Sequence, residues 1–526
     1  MASSLSVSFL EFSASISVFN SEICCNACCT TFFVSGVAFS LISASVFDRL
    51  TSTEAQFTCI IITSQLKIKC NHHDILFSLT PMNGPVAKVR LMTVLLPIIV
   101  QLPFPSQGDP DSRIEKYYSS YSKYYSQVIS PIALSADDLW EAPLWVAHLD
   151  AAIGKDETQF EDLSLARFDV SECVDRLATA TGSSRALFLF SPLAQNLSLA
   201  TEVSRALLRL GHSCLLGGNM TSLADPTAFS AIYHGLARRG FLEQVFPKNG
   251  AGQLGKQEAN FGYRPNYRHL ARFANRVTLA RLNASHGCLY GCTFCGDAWS
   301  RQLHVVSRGD LISEFEQIGE FFPSVKTIYI GDKTFGQSPE AVRNILSARP
   351  PGRYKFVVQT HILTLSEELL ELMEEIGVSL VELGFESADS RVLRTMKKSG
   401  GQSYEYWLGR INSRGMAVAL NLLGGLPEAT VEGHMQTMKF IKSTADDVSL
   451  YNLYNFVPYP MAPIFAKVKD RIFDWNFSTW REDRPVVFHP YHQSVAEAWD
   501  QFIEMVTLCD ELISQRLTLQ KKTGVA

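Results

Sequence analysis

From Val277 onward, short apolar blocks alternate with stretches whose apolar residues recur at helical spacing. The blocks predict strands over 277–283, 326–330, 354–358, 379–384, 417–423 and 448–456. The stripes between and after them predict helices over 310–321, 339–346, 366–376, 389–397, 402–414 and 430–443. Strand and helix in turn predict an α/β fold whose parallel strands form a partial (β/α)6, TIM-like barrel over 277–466 or an open, curved version of one. Chemistry in that architecture gathers at the carboxyl ends of the strands.

The stretch before the barrel carries the same alternation in a weaker form. An apolar block at 93–100 predicts a buried strand, broken by Pro103, Pro105, Gly108 and Pro110. Tyr117, Tyr118, Tyr121, Tyr124 and Tyr125 follow at helical spacing and read as a packing stripe. Trp140 and Trp145, around Pro143, suit a ligand cavity and a core anchor equally. A strand at 186–190, an amphipathic helix at 197–210 stopped by Gly211, and a strand at 213–216 complete a βαβ unit. Gly217 and Gly218 then stand beyond a strand end, where ligands of such sheets sit, and are candidate cofactor contacts. Residues 92–250 therefore read as a Rossmann-like domain, and 467–526, with Trp475, Trp480 and Trp499, as a helical C-terminal cap.

The first 91 residues differ from the rest. They are rich in Ser, Thr, Phe and Cys, with close pairs at Cys24-Cys25 and Cys28-Cys29. No charged residue falls between Thr30 and Phe47, yet the many hydroxyl side chains make a poor spanning helix, and no stable membrane association is expected. No basic leader precedes Asp48, as a secretory signal requires. The segment reads as a dispensable or mis-started extension, with Met82 or Met92 as the functional start.

Composition narrows the class. The chain has 526 residues, 46% hydrophobic and 19% charged, enough for two or three domains with cores. A net charge of −5 without long Lys/Arg runs gives no footprint for nucleic acid. Half of the 12 cysteines lie in the first 70 residues, and the others are too sparse for a secreted disulfide framework. Thiolates that bind metal need a reducing compartment, which places the protein in the cytoplasm.

Cys288, Cys292 and Cys295 carry the chemistry. They stand in Ala284-Ser-His-Gly-Cys-Leu-Tyr-Gly-Cys-Thr-Phe-Cys-Gly296, so one tight loop turns three sulfurs towards a common centre. Three thiolates on a four-iron cluster leave one iron open to a small molecule. The other reading is three quarters of a structural zinc site completed by His286 or a distant histidine. Zinc ligands usually come as two pairs, and the next cysteine after the loop is Cys509.

With these residues in order, the chain resembles the radical S-adenosylmethionine (SAM) superfamily from about Arg281 to Lys467. The cysteine spacing with Phe294 fits its cluster loop. Gly384-Phe-Glu-Ser387 looks like its Gly-x-Glu-Ser segment, and Gly425-Leu-Pro-Glu428 resembles Gly-Leu-Pro-Gly-Glu, with Ala429-Thr430 out of step. Pro458-Tyr-Pro-Met-Ala-Pro463 is similar to the segment that often ends the barrel. The resemblance implies a [4Fe-4S] cluster on Cys288, Cys292 and Cys295, SAM on the open iron, and reductive cleavage to a 5′-deoxyadenosyl radical. It implies SAM contacts from Glu386, Asp332 and Gln359, with His361 facing the same rim, and from Gly424 and Gly425 beside the adenine; His286 is structural. The 92–250 region is fainter in its likeness to the cobalamin-binding domain of one branch. Leu210-Gly-His212 and Leu216-Gly-Gly218 match, Asn219-Met220 replaces a Pro-His, and no lower-ligand histidine motif is present. That branch implies a cobalamin-dependent methyltransferase acting on an unactivated carbon of a small molecule, a natural-product intermediate or modified peptide, with flavodoxin or ferredoxin as electron donor. A radical rearrangement, cyclisation or oxidation is the other enzymatic expectation, and a non-catalytic iron–sulfur or zinc protein the third.

Overall fold

The computed structural model describes residues 95–105, 111–128, 142–154, 158–182, 184–246, 264–296, 301–398 and 403–523, together with six strands before them. Cys24, Cys25, Cys28, Cys29, Met82 and Trp140 lie outside the described residues. Two compact units are present, Met1–Leu96 and Pro97–Ala526.

The first unit holds β1 (Thr30–Val34), β2 (Val37–Leu41), β3 (Thr58–Ile62), β4 (Gln65–Cys70), β5 (His73–Thr80) and β6 (Ala87–Met92). They form one sheet in the order β1-β2-β6-β5-β4-β3, antiparallel except for the β2–β6 pair. Reading the segment as an extension did not foresee this sheet.

The second unit begins with β7 (Leu96–Gln101), α1 (Ser112–Val128), α2 (Leu144–Ile153), β8 (Gln159–Asp162), α3 (Val170–Thr181), β9 (Ala186–Phe190), α4 (Leu197–Arg209), β10 (Ser213–Leu216) and β11 (Ala231–Ile232). The strand order β11-β10-β9-β7-β8 is the doubly wound 2-1-3-4-5 arrangement, with parallel pairs β7–β8, β9–β10 and β10–β11. All five residues of β9 are buried, as expected of a strand covered on both faces. The topology switches direction between β7 and β9, and a ligand crevice belongs beyond the strand ends there.

After α5 (Phe241–Val245) comes the barrel. Its strands are β12 (Leu279–Leu282), β15 (Thr327–Ile330), β16 (Lys355–His361), β17 (Val378–Glu386), β18 (Ala417–Gly424) and β19 (Leu450–Asn455), paired in chain order and all parallel. Between β12 and β15 sit a two-stranded hairpin, β13 (Ser285–Gly287) with β14 (Leu303–Val305), and helix α6 (Arg308–Phe321). Helices α7 (Pro339–Ala348), α8 (Glu367–Ile376), α9 (Ser390–Thr395), α10 (Tyr404–Ser413) and α11 (Val431–Ser443) complete the crossovers. Ser307, Ser338, Ser366, Asp389, Ser403 and Thr430 cap α6 to α11 by accepting a backbone N–H, which is why these helices start where they do.

The sheet does not close on itself, so β19 is an edge. The tyrosine stripe covers it. Tyr117 donates its hydroxyl to the carbonyl of Tyr451, Tyr118 to that of Leu453 at 3.3 Å, and Tyr121 to Oδ1 of Asn452 at 2.8 Å. Alternate carbonyls on the free side of an edge strand need partners, and phenol groups of α1 supply them. Tyr117→Phe should therefore destabilise the protein by about 1–2 kcal/mol in chemical denaturation, since a buried carbonyl loses its donor. An unchanged midpoint would refute the edge-capping role.

The C-terminal region departs from a helical cap. After α12 (Phe465–Val468), residues 472–494 are mostly irregular and contain the fully buried Trp480, whose indole N–H donates to the Asp474 carbonyl at 2.9 Å. One long helix, α13 (Val495–Thr523), ends the chain and packs on α1, α11, β18 and β19. Five prolines and glycine-free loop sequence between 458 and 490 explain the irregular stretch, because proline removes backbone donors and blocks helix propagation. Among the described residues no helix is long and apolar enough to cross a membrane.

Candidate functional site

The three cysteines lie in the loop between β13 and β14, at the carboxyl end of the barrel. The chain passes from β12 through a second short strand before reaching them. Asp332, at the end of β15, fixes that entry: it accepts from Ala284 N at 2.7 Å, Ser285 N at 2.9 Å and Ser285 Oγ at 2.5 Å. Burial raises the Asp332 carboxyl to about 6 despite these donors. Its acceptor capacity is thus directed to the strand that leads into the cysteine loop.

The loop is tied down on both sides. Thr293 bonds Met396 O through its N–H at 3.0 Å and Thr395 O through its hydroxyl at 3.1 Å, while its own carbonyl accepts from Ile464 N at 2.8 Å. Leu289 N donates to Gln337 Oε1 at 2.7 Å, and Cys288 Sγ is 3.6 Å from Thr334 Oγ1. Tyr290 stacks on His361 with centroids 4.2 Å apart. Cys292 is buried, whereas Cys288 and Cys295 are half-buried. Burial pushes the Cys292 thiol up to about 11; the charge of Lys398 opposes this, and Cys295, Glu386 and Cys288 add to it. Among the described residues no three His, Cys, Asp or Glu side chains are gathered around a single-ion position. A multi-iron cluster places each thiolate on a different iron, so the donor set of three thiols on one anchored loop suits it.

Glu386 reaches this loop by two irregularities of β17. The register with β18 shifts between Gly384 and Glu386, and Glu386 itself adopts φ +66°, a left-handed conformation that a non-glycine residue holds only under constraint. The constraint is a buried ion pair with Lys398, which no motif in the sequence singled out. Lys398 is brought back over the strand end because α9 terminates in another left-handed residue, Lys397 at φ +54°, with Lys398 N bonded to Leu393 O at 2.8 Å. The Lys398 ammonium lies 5.7 Å from the centre of the Phe294 ring. Cysteine loop, Lys398 and Glu386 thus form one cluster of contacts.

Gln359 belongs to a polar layer inside the barrel. Tyr329 donates towards Gln359 Oε1 at 3.4 Å and to Glu382 Oε2 at 2.7 Å, Arg281 lies 4.2 Å over the Tyr329 ring, and Asn452 bonds Asn421 at 2.7 Å. Arg281 and Glu382 interrupt apolar strand runs in the sequence, and that interruption was the available signal for this layer. Gly424 and Gly425, by contrast, are pressed by protein. A Cβ on Gly424 would come within 2.6 Å of Phe502 Cδ2, and one on Gly425 within 2.5 Å of Val486. Their lack of a side chain is accounted for by packing against these neighbours.

Gly217 and Gly218 stand apart from the cysteines' contact cluster but line a cavity of about 410 Å³ between the doubly wound sheet and the barrel. Trp145 and His148 of α2, Tyr233, and the barrel residues Asn283, His286 and Lys333 share it. Gly218 is at φ +85° with Ser191 Oγ 2.6 Å from a Cβ position, so the turn itself requires glycine. Around a Cβ on Gly217 only Phe190 O lies within 4 Å, at 3.9 Å, so that face is open. His148 packs edge-on against His286 at 5.3 Å, and burial lowers the two imidazoles to about 4 and about 3.

Comparison with known proteins decides what this barrel is. The profile of the radical SAM superfamily matches residues 282–441, which run from the end of β12 into α11. The barrel is a radical SAM domain. The chain is 23% identical over 230 residues to a bacteriochlorophyllide d C-12(1)-methyltransferase of Chlorobaculum tepidum, covering 41% of this chain and 48% of that protein. It thus spans about half the length of that curated relative. Among solved structures, the radical SAM methyltransferase TsrM from Kitasatospora setae, with cobalamin and a [4Fe-4S] cluster bound, superposes with a TM-score of 0.51 at 15% identity, over 72% of this chain and 78% of that one. OxsB, a cobalamin-dependent SAM radical enzyme, gives 0.50 at 12% identity over 84% and 69%. At these identities the superpositions show a shared fold over the covered part of the chain.

Proposed function

We propose that the protein is a cobalamin-dependent radical SAM methyltransferase acting on a small molecule. The observation that carries this reading is the anchored loop of Cys288, Cys292 and Cys295 beside the Glu386–Lys398 pair, at the carboxyl end of a radical SAM barrel. Cys288, Cys292 and Cys295 would hold a [4Fe-4S] cluster. Glu386 and Lys398 offer one anionic and one cationic group for the amine and carboxylate of SAM. When bound, the cluster and SAM supply a radical that removes hydrogen from carbon, and a corrinoid supplies the transferable methyl group.

The remaining chemistry falls to the chain. Lys398 is buried with its ammonium facing the Phe294 ring, and its shielding from water strengthens its hold on carboxylates. The polar layer of Arg281, Tyr329, Gln359, Glu382, Asn421 and Asn452 orients a small acceptor with polar substituents by hydrogen bonds inside the barrel. The 410 Å³ cavity would take one part of a corrinoid, with Gly217 presenting bare backbone to it and His286 lying between the cavity and the cysteine loop. The methyltransferase relative, and TsrM among the fold relatives, support the choice of methyl transfer.

Gly217→Trp tests the corrinoid part. The indole would enter the open face of the cavity, and cobalamin absorbance after supplementation should fall at least tenfold while iron content stays unchanged. Full cobalamin retention in the variant, or none in the wild type, would overturn it. Methyl transfer is read by incubating wild type with methyl-labelled SAM: S-adenosylhomocysteine should form alongside 5′-deoxyadenosine. The latter product alone would favour another radical reaction.

A further inference from the structure

We infer that His361 donates a hydrogen bond from Nε2 to a sulfur of the bound cluster and so raises its reduction potential, an inference that rests on the cluster reading above. His361 closes β16, where its Nδ1 accepts the Leu363 N–H at 3.1 Å. That bond fixes the tautomer: the ring proton sits on Nε2. Burial, with the charge of Lys398, lowers the imidazole to about 3, so it carries one proton and no charge at neutral pH.

The Nε2–H is buried, the residue being 5% exposed, and no acceptor for it is present among the described residues. Buried donors in folded proteins are nearly always paired, so this one calls for an acceptor outside the polypeptide. Its surroundings say which. One face of the imidazole stacks on Tyr290, at 16° between the planes, and Tyr290 stands between Cys288 and Cys292 in the loop. The Tyr290 hydroxyl is 2.9 Å from Thr364 Oγ1, so the loop is also pinned to the turn just after His361. Cys288 approaches the same strand end: its sulfur is 3.6 Å from Thr334 Oγ1, and the next residue, Phe335, bonds Gln359 O and Thr360 Oγ1 at 2.7 and 2.8 Å. The donor therefore belongs to the packing of the cysteine loop itself. N–H groups aimed at cluster sulfurs stabilise the more electron-rich, reduced state, and they are among the main determinants of cluster potential.

The test is potentiometry on the anaerobically reconstituted, SAM-free protein, followed by electron paramagnetic resonance of the reduced cluster. His361→Phe keeps a ring against Tyr290 and removes the donor, so its midpoint should move to lower potential with iron and sulfide content unchanged. His361→Gln returns an amide N–H near the Nε2 position and should restore most of the wild-type value. If His361→Phe loses iron, His361→Asn takes its place; its Oδ1 keeps the Leu363 bond but its amide falls short, and its midpoint should lie below that of His361→Gln. A wild-type midpoint in the donor-lacking variant would overturn the inference. So would an unchanged midpoint with weakened SAM binding, which would give the donor to SAM instead. Failure of the wild type to assemble a four-iron cluster would refute the cluster reading, and that is seen before any variant is compared.

Discussion

Cys292→Ala is expected to lose the cluster and all SAM cleavage while keeping its fold. Cys292 is the buried member of the three, and its loop is held by Thr293, Leu289 and Tyr290 through bonds that do not involve its sulfur. Removing one thiol from a surface-reaching loop leaves those anchors in place, so circular dichroism should match the wild type. Two thiolates cannot retain a cubane against chelator, and iron content after desalting should fall below a tenth of the wild-type value. Production of 5′-deoxyadenosine should drop below detection. Retained cleavage by Cys292→Ala would contradict the placement of the cluster.

Lys398→Met should have the second largest effect, and on stability as well as chemistry. The Glu386 and Lys398 side chains are 7% and 5% exposed, and the ion pair also holds Glu386 in its left-handed conformation. Removing the cation leaves a buried carboxylate uncompensated, which costs about 3–5 kcal/mol in comparable cases. The double variant Glu386→Gln with Lys398→Met removes both charges and should recover much of that loss. It should still fail to bind SAM, because neither polar group remains in its charged form. Measured by urea denaturation and by SAM titration, this pair of variants separates the structural role from the binding role. If Lys398→Met unfolds at the wild-type midpoint, the buried pair does not hold the site.

The barrel was legible in the sequence because its strands are mainly apolar blocks separated by stretches of helical spacing. The expected ranges 326–330 and 417–423 correspond to Thr327–Ile330 and Ala417–Gly424. The cysteine loop was legible from spacing alone. Lys398 was not, because it enters the site through the left-handed turn at Lys397, and a Lys-Lys-Ser run carries no sign of such a turn. Asp332 was placed on the correct strand end, but its neighbours depend on β13, a strand too short for periodicity to reveal. Tyr117 illustrates the same limit. Its helical stripe was evident, yet the surface it covers is the edge of β19, more than three hundred residues further along the chain. Local pattern specifies elements; contacts across such separations are set by the assembled sheet.

The central claim is that the loop carries a four-iron cluster with a site for SAM. Anaerobic reconstitution, iron and sulfide analysis, and electron paramagnetic resonance of the dithionite-reduced protein with and without SAM test it most directly. The expected result is roughly four iron and four sulfide per chain, with a signal that changes shape on SAM addition as SAM occupies the iron that lacks a protein ligand. Stoichiometric zinc without sulfide, or a cluster signal indifferent to SAM, would contradict it.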